Sequence, residues 1–559
     1  MRESWTGKMQ KKMVALDTGG IEEALNFISE SLKKSHKSEK TVYEAMLLTE
    51  ESMVRLMECT EKKEQLQISI HKHIGISTIQ LSVPGDRIAF DGKSSVGNEL
   101  NTDEMGPDTE AAIRDIVLRS YANKIKYKNK NGFNCINIIV GMVEQQLATI
   151  TLLSLILSIA IGMILRGVLP EQAILFLDSY LLVPVEKMFI SMLQLVTAPA
   201  VFFSIVCCVA QFAEFSDPGR VSAKIFVSYF VGTVAAVLIG VVGFRIFKPG
   251  SAGLFENLVN QAATSGKNAG AVPVLDTIVS GVPANIVEPF LTSNALQLVV
   301  LALLCGIAVG MVGDYAQTIQ KFFSVGNLFF SKIISLIMNI VPIAVFCSTI
   351  SILIHVGGVA LWSVVELMVA VLLGFGCMLL LYCVLILVVG RMNPIVFLKK
   401  YWPDMKNTFI LGSGIAAIPN SIRACKVKLG ISPKVYSFSI PFGAVANMDG
   451  NCIYLAITGL FLAHMCGIEI FGSDMISVIF AIMVLSVGAP IAPGSALLCL
   501  FVLLTQMGVS LEATSLIIGV NFFIEMLLAM TNTVGDVAIS LVVAKSEKLV
   551  DLDVYYDRR

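Results

Sequence analysis

The sequence contains 559 residues, of which 55% are hydrophobic and 15% are charged, and its formal net charge at pH 7 is −1. This composition is more apolar and poorer in charge than that of an ordinary soluble protein, which predicts an integral membrane protein. Because basic and acidic residues balance, the sequence offers no basic surface for a nucleic acid, and nucleic-acid binding is excluded.

Charged residues are distributed unevenly along the chain. Residues 1–140 hold 20 of the 41 basic and 20 of the 42 acidic residues, whereas the remainder contains apolar runs long enough to cross a bilayer. We therefore expect a head domain at 1–140, a transmembrane domain at 141–548 and a tail at 549–559. The first long apolar run begins near Leu147, so no cleavable signal peptide is expected and the head should stay in the cytosol.

The head has the pattern of a small α/β domain. Helices are predicted over 21–34 and 40–59, followed by strands with alternating apolar residues over 66–83 and a last strand at 131–140. This order is similar to the ATP-binding fold of histidine kinases and anti-sigma-factor kinases, with PGDRIAFD at 84–91 in place of their acidic nucleotide-contacting segment. The resemblance implies a degenerate nucleotide-binding module that regulates the transmembrane domain. The alternative is an inert folding and assembly module.

Three features of the head argue against catalysis, a metal site and a basic nucleotide-binding segment. The metal-holding Asn of that fold is replaced by Val54 and Arg55, so no catalysis is expected. His71 and His73 alternate on a strand without further ligands at metal-site spacing, which favours an ordinary strand face. The lysine-rich run at 124–130 is predicted to flank the first membrane helix.

Six apolar runs have the length of ordinary membrane spans. Basic residues on alternate loops predict that the head and the tail are both cytosolic, in a multi-pass protein of the cell (inner) membrane. The predicted spans are 147–165, 176–212, 223–247, 292–312, 328–355 and 361–390.

After residue 400 the apolar segments contain four predicted breaks. Irregular backbone at membrane depth requires protein or a wet cavity to satisfy its amides and carbonyls, and paired broken segments are typical of transporters built from inverted repeats. The alternative, that Gly and Pro only kink packing helices, explains one break better than four. The breaks are at 412–419, 447–450, 488–494 and 532–536.

Three acidic residues, Asp449, Glu525 and Asp536, lie inside these apolar segments. An ionisable residue at this depth is costly and therefore a functional candidate. No Lys or Arg lies near them in the sequence, so they require cations from outside the chain. Carboxylate, amide and carbonyl oxygens suit a small hard cation such as Na+.

The motif Asn447-Met448-Asp449-Gly450, the stretch from Asn532 to Asp536 and the segment SVGAPIAPGSALL at 486–498 resemble the dicarboxylate/amino acid:cation symporter family. This family includes glutamate transporters and the archaeal aspartate transporter, and the resemblance covers about 147–548. It implies an α-helical membrane protein with eight transmembrane helices and two re-entrant hairpins in inverted repeats, preceded here by the small cytosolic α/β domain. It also implies a homotrimer in the lipid bilayer whose transport domains move like elevators.

The resemblance implies three sites for Na+ as the transported coupling ion, and no organic cofactor. Both carboxylates of these sites are intact, which favours sodium over proton coupling. The first site would use Gly443, Asn447, Asn532 and Asp536; the second Tyr229, Thr233, Asn447 and Asp449; the third Val445, Met448, Ser486, Val487 and Ala489.

The substrate pocket departs from the pattern of acidic amino acid carriers. Leu528 stands where those carriers have the arginine that binds the substrate's side-chain carboxylate, and Gly412 stands where some relatives keep a compensating arginine. Holding a second carboxylate there without a cation would be costly. The implied ligands of a neutral or polar amino acid are Asn532 with the hairpin-tip amides of Ser413, Gly414 and Ala496 for the carboxylate, Glu525 for the ammonium, and Asn451 for the side chain.

We therefore predict a sodium-coupled symporter of a small neutral or polar amino acid, and not an enzyme. One alternative is an acidic amino acid or dicarboxylate symporter. Another is a receptor with the carrier fold that signals through the head. For Glu525, the alternative to substrate binding is a salt-bridged or protonated helix residue.

Overall fold

The computed structural model describes residues 10–33, 39–59, 65–73, 76–85, 125–130, 132–140, 143–168, 170–214, 220–250, 253, 282–292, 294–355, 357–490 and 494–558, to which all structural statements refer. The chain divides into two units, Met1–Gln146 and Leu147–Arg559.

The first unit contains one antiparallel sheet with the strand order β1-β2-β3-β5-β4. Alternate apolar residues of the strands form one core with the apolar sides of the two helices. The elements are β1 Gln10–Ala15, α1 Thr18–Lys33, α2 Glu39–Cys59, β2 Gln65–His73, β3 Ile76–Pro84, β4 Ile125–Lys130 and β5 Phe133–Val140.

The sequence did not predict β1 and β4. The run at 124–130, predicted to flank a membrane helix, instead forms the edge strand β4, with Ile125 opposite Ile138. The physical reason is that Ile125 and Tyr127 alternate with the lysines and pack against the core. His71 is half-buried on β2, and no group of three or more His, Cys, Asp or Glu side chains that could hold a metal ion occurs in the described part of the chain. Most of PGDRIAFD lies outside the described residues.

The second unit is helical, and seven of its helical segments are long and apolar enough to cross a membrane. The protein is therefore an integral membrane protein. The seven segments are Thr149–Val168, Gln172–Ala210, Arg220–Phe247, Ala316–Met338, Leu361–Val388, Pro433–Met465 and Leu511–Ser546.

We number the helices of this unit in chain order. They are α3 Val143–Val168, α4 Glu171–Leu177, α5 Val183–Glu214, α6 Arg220–Phe247, α7 Glu288–Thr292, α8 Ala295–Met311, α9 Ala316–Met338, α10 Val341–His355, α11 Gly358–Val388, α12 Pro394–Leu411, α13 Gly414–Arg423, α14 Pro433–Ala446, α15 Asp449–Met465, α16 Ser473–Val487, α17 Ser495–Gln506, α18 Ser515–Ser546 and α19 Leu552–Tyr555.

The predicted span at 328–355 is wrong, because two helices, α9 and α10, occupy this segment. Asn339 ends α9, and Pro342 lies in the first turn of α10. Proline lacks an N–H and clashes with the preceding helical turn, so it begins the second helix better than it continues the first.

Three predicted breaks interrupt helices and one does not. Gly412, with a φ of 62°, and Ser413 separate α12 from α13, and Asn447 and Met448 separate α14 from α15. Helix α16 ends at Val487 and α17 begins at Ser495. The break predicted at 532–536 is wrong, because α18 is continuous there. No proline interrupts the hydrogen-bond ladder, and the Thr533 hydroxyl donates to the Ala529 carbonyl within the helix.

Helices α15 and α18 occupy the centre of this unit. Most side chains of both are buried. Helix α15 packs against α6, α11 and α18, and α18 also contacts α10, α12 and α14. The interrupted segments therefore lie against two buried helices.

Candidate functional site

Asp449 is the first residue of α15 and is fully buried. Its Oδ2 accepts a hydrogen bond of 2.5 Å from the Tyr382 hydroxyl on α11, and its Oδ1 accepts one of 3.5 Å from the Thr233 hydroxyl on α6. Gly232 lies beside the carboxylate, since a Cβ there would be 3.2 Å from Oδ2. The break before α15 therefore places a carboxylate at a helix N-terminus, where the helix dipole favours negative charge.

Asp536 on α18 forms a second buried acidic site with Asn447 in the break. The Asn447 Nδ2 donates to Asp536 Oδ1 at 3.0 Å. Two further oxygens, Asp536 Oδ2 and Asn447 Oδ1, are buried without a hydrogen-bond partner among the described residues. Unpartnered buried oxygens are expensive, and a bound cation would remove that cost.

Gly443 on α14 allows these groups to approach each other. A Cβ at Gly443 would overlap Asp536 Oδ1 and lie 2.7 Å from the Tyr229 hydroxyl. Tyr229 donates to the Ser439 carbonyl at 2.9 Å, and the Gly443 carbonyl accepts from the Asn447 amide at 2.8 Å. The first two predicted cation sites are thus adjacent, because both involve α14 and the break that follows it.

Asn532 connects α18 to the start of α15. Its Oδ1 accepts a hydrogen bond of 2.7 Å from the Gly450 amide, and Gly450 packs against the Leu528 carbonyl. The Asn532 Nδ2 is the donor that remains for a carboxylate. Asn451 bonds back to the break, with its Nδ2 3.3 Å from Met448 Sδ.

Glu525 lies on the same side of α18 as Leu528 and Asn532, because a spacing of three and seven residues aligns side chains on one helix face. Its Oε2 accepts a hydrogen bond of 3.0 Å from the Gly494 amide, and its Oε1 accepts one of 3.1 Å from Asn521. Tyr454 donates to Asn521 Oδ1 at 2.8 Å. In the described residues Glu525 forms hydrogen bonds rather than an ion pair. Leu528 is buried.

The remaining predicted substrate ligands, Ser413, Gly414 and Ala496, lie at or near the starts of α13 and α17. The Ser413 hydroxyl accepts from the Ala416 amide and caps α13, whose first residue is Gly414. Gly412 lies beside Met526 of α18. Ala496, near the start of α17, is buried.

The residues predicted for the third cation site do not form one hydrogen-bonded cluster among the described residues. Helices α14 and α16 are in contact, but no hydrogen bond among the described residues connects Val445 or Met448 to the end of α16. The Ser486 hydroxyl donates to the Met483 carbonyl, and the Ala489 carbonyl accepts from the Ser204 hydroxyl on α5 at 3.0 Å. Val487 is half-buried.

Sequence reasoning missed Tyr382, Asn521, Tyr454 and Ser204. For Tyr382 a signal was present, because a tyrosine in the middle of an apolar membrane helix requires a partner for its hydroxyl. For Asn521 the signal was its position one turn before Glu525. Ser204 offered none, since its partner carbonyl is 285 residues away.

Comparison with known proteins shows the family to which the second unit is similar. A family model described as the sodium:dicarboxylate symporter family matches residues 147–546. The C4-dicarboxylate transport protein of Bordetella avium (strain 197N) is 30% identical over 380 residues, which are 66% of this chain and 83% of that protein. The C4-dicarboxylate transport protein of Bacillus subtilis (strain 168) is 28% identical over 375 residues, 66% of this chain and 88% of that protein.

A third relative is named for amino acid substrates and for proton coupling. The proton/glutamate-aspartate symporter of Escherichia coli (strain K12) is 25% identical over 382 residues, which are 66% of this chain and 86% of that protein. The segment matched by the family model contains all of the residues around Asp449, Asp536 and Glu525. The chain therefore belongs to the sodium:dicarboxylate symporter family, whose members are transporters and not enzymes.

Proposed function

We propose that the protein is a secondary transporter that couples the inward movement of Na+ to the uptake of a small neutral or polar amino acid. The observation that carries this proposal is the pair of buried carboxylates, Asp449 and Asp536, with unpartnered oxygens at Asp536 Oδ2 and Asn447 Oδ1. The sequence has no Lys or Arg between Lys434 and Lys545 to neutralise them. Burying such charges is favourable only with a cation or a proton.

Sodium fits this cluster because its donors are hard oxygens. Asp536, Asn447 and the carbonyl of Gly443 would hold one ion, and Asp449 with Thr233 would hold another. Val445, Met448, Ser486, Val487 and Ala489 are proposed for a third, which requires Ala489 to exchange its bond with Ser204. Proton coupling is the competing mechanism, and the name of the Escherichia coli relative, a proton/glutamate-aspartate symporter, supports it.

The substrate proposal depends on α18. Leu528 offers no charge to a second substrate carboxylate, whereas Glu525 matches an ammonium once Gly494 or Asn521 releases it. Asn532, with the amides near Ser413, Gly414 and Ala496, would hold the single carboxylate, and Asn451 would bind a polar side chain.

A C4-dicarboxylate or acidic amino acid is the second candidate substrate, because the relatives are named for such substrates. The two candidates differ in one charged group. A dicarboxylate would place a second negative charge near Glu525 and Leu528, whereas a neutral amino acid places a positive one there.

Uptake into proteoliposomes tests both parts of the proposal. We expect accumulation of radiolabelled neutral amino acids under an inward sodium gradient, inhibition by unlabelled serine, asparagine or alanine, and little inhibition by succinate or aspartate. A sodium-free proton gradient should not drive uptake. Preferred inhibition by succinate or aspartate would contradict the substrate, uptake driven by protons alone would contradict the ion, and binding without flux would favour a receptor.

We also propose the architecture implied by the family resemblance. The pairs α12–α13 and α16–α17 would form two re-entrant hairpins within eight spans, in a homotrimer with cytoplasmic termini. The short apolar helices Asp474–Val487 and Ser495–Gln506 support this, because each is too short for a full span. Chemical cross-linking in native membranes should yield dimers and trimers, and cysteines at both termini should be labelled only from the cytoplasmic side.

For the first unit we propose a regulatory role, with an inert assembly module as the alternative. Deletion of residues 1–135, followed by uptake with and without ATP on the cytosolic side, separates them. An ATP effect present only in the full chain supports regulation. Equal uptake by both forms under both conditions supports the inert module.

A further inference from the structure

A crevice lies between α6, α11 and α18 on the surface of the second unit. Its volume is about 270 Å³, and apolar side chains form most of its wall. These include Val227 and Val231 on α6, Leu385 and Val389 on α11, and Ala538 and Val542 on α18. Because all three helices belong to segments that cross the membrane, the crevice opens within or beside the bilayer.

The mouth of the crevice is apolar and exposed. Val227 and Val389 expose 59% and 56% of their surface, whereas Ala538 and Tyr382 deeper inside are almost completely buried. This volume lies just below the range of about 300–1,000 Å³ typical of sites for compact small molecules. An apolar occupant such as a hydrocarbon chain suits this lining better than a polar solute.

One end of the crevice lies where the three helices begin or end. Val227 is seven residues after the start of α6, Val389 follows the last residue of α11, and Val542 is four residues before the end of α18. Arg391 lies two residues beyond Val389, is exposed, and has no ion-pair partner among the described residues. A cation at the end of an apolar crevice matches the phosphate of a lipid whose chain lies inside.

Two of the other basic side chains at this end, Lys224 and Arg220, are already paired. The Lys224 ammonium contacts the Glu547 carboxylate and lies 3.3 Å from the Ser546 hydroxyl, and Arg220 Nε lies 3.3 Å from Glu547. Hydrogen bonding from Lys224 lowers the pKa of Glu547, which keeps this carboxylate ionised and the pairing intact. Arg391 is therefore available to an anionic head group, as is Lys545 in the last turn of α18, for which no ion pair occurs among the described residues.

We propose that this crevice binds one acyl chain of an anionic phospholipid, with the lipid phosphate beside Arg391. The chain would pack against the ring of Tyr382, whose hydroxyl bonds to Asp449, and against Gly232 on the opposite wall. The lipid would thus cover the membrane side of the Asp449 carboxylate. The binding proposal does not depend on which ion or solute is carried.

Photo-cross-linking tests the proposal on the full-length protein. The probe is phosphatidylglycerol with a diazirine at the end of one acyl chain, in phosphatidylcholine vesicles, with adducts mapped by mass spectrometry. We expect adducts concentrated on the lining residues of α6, α11 and α18. We expect Ser228→Phe and, separately, Ala235→Phe to fill the crevice and reduce these adducts at least fivefold. Leu238→Phe, on the exposed side of α6 outside the crevice, should leave them unchanged.

The head group is tested by comparing lipids. Arg391→Ala should reduce adducts from the phosphatidylglycerol probe severalfold and bring them to the level of a phosphatidylcholine probe with the same diazirine chain. Adducts spread evenly over the exposed apolar surface, or unaffected by both filling variants, would overturn the proposal. So would a disulfide between two copies of the chain that forms only when a cysteine is introduced at a crevice residue such as Val231, because the crevice would then be a subunit interface.

Discussion

The carboxylate of Glu525 accepts a hydrogen bond from the backbone N–H of Gly494, with 3.0 Å between Glu525 Oε2 and the Gly494 nitrogen. Gly494 precedes α17, and its φ of 83° is a conformation that glycine adopts easily. The contact joins α18 to the break between α16 and α17. The group proposed to bind the substrate ammonium therefore holds a backbone amide in this structure, and binding must compete with that bond.

We predict that Glu525→Gln raises the KM for a neutral amino acid about tenfold or more, because a neutral amide loses the charge-assisted bond to an ammonium. The amide oxygen still accepts from Gly494, so folding should be preserved. Initial uptake rates over a range of substrate concentrations measure KM.

Glu366→Gln is a matched control. Glu366 on α11 also accepts a backbone hydrogen bond, from the Gly250 amide at 2.7 Å, and is not among the proposed substrate ligands. Its replacement should leave KM unchanged. An unchanged KM in Glu525→Gln would show that the ammonium is not bound at this carboxylate.

Tyr382→Phe is predicted to weaken sodium binding. The variant removes the 2.5 Å hydrogen bond to Asp449 and leaves the 3.5 Å contact from Thr233. A hydrogen bond to a charged group contributes about 1.5–3 kcal/mol, so the sodium concentration for half-maximal uptake should rise roughly tenfold or more.

Tyr401→Phe provides the comparison. Tyr401 is equally buried, and its hydroxyl lies 3.0 Å from the Ser421 hydroxyl rather than from a carboxylate. We expect a modest loss of stability and no change in sodium dependence. If both variants shift the sodium dependence equally, Tyr382 acts only through packing.

The Asp449 and Asp536 cluster could be predicted because its signal is local. A carboxylate in an apolar run has few explanations, and the break at Asn447 and Met448 is visible in four consecutive residues. Tyr382 lies 67 residues from Asp449, so no local pattern joins them. Pairings of this kind depend on how α11 packs against α15, which one sequence does not specify.

The continuity of α18 shows the limit of judging a break from composition. Asn532, Thr533 and Gly535 resemble a loop, but each has a separate role inside a helix. Asn532 bonds to Gly450, Thr533 bonds within its own helix, and Gly535 makes room for the Tyr382 hydroxyl. The same residue types can therefore break a helix or allow another helix to approach it.

Asp536→Asn is predicted to abolish sodium-driven uptake and also the stabilisation of the protein by sodium. A ligand at 100 times its Kd stabilises the folded state by about 2.7 kcal/mol, which is readily detected in a thermal melt. Without sodium, the variant should melt higher than the wild type, because an unpartnered buried charge has been removed.

The control for the thermal melts of Asp536→Asn is the variant Asp404→Asn. Asp404 is paired with the Lys428 ammonium at 2.6 Å, so its loss should lower the melting temperature equally with and without sodium. Sodium stabilisation that persists in Asp536→Asn would rule out Asp536 as a ligand.

Leu528→Arg should convert the substrate preference. The new guanidinium would lie one turn from Glu525 and beside Gly450, where it can form bidentate bonds to a second substrate carboxylate. We expect inhibition by succinate or aspartate to strengthen at least tenfold while inhibition by neutral amino acids weakens. Leu528→Gln adds hydrogen-bond donors without charge. It should leave inhibition by succinate or aspartate and inhibition by neutral amino acids almost unchanged. A wild-type protein that already prefers succinate would contradict the proposed substrate. Both substrate carboxylates would then be bound although position 528 holds Leu and not Arg.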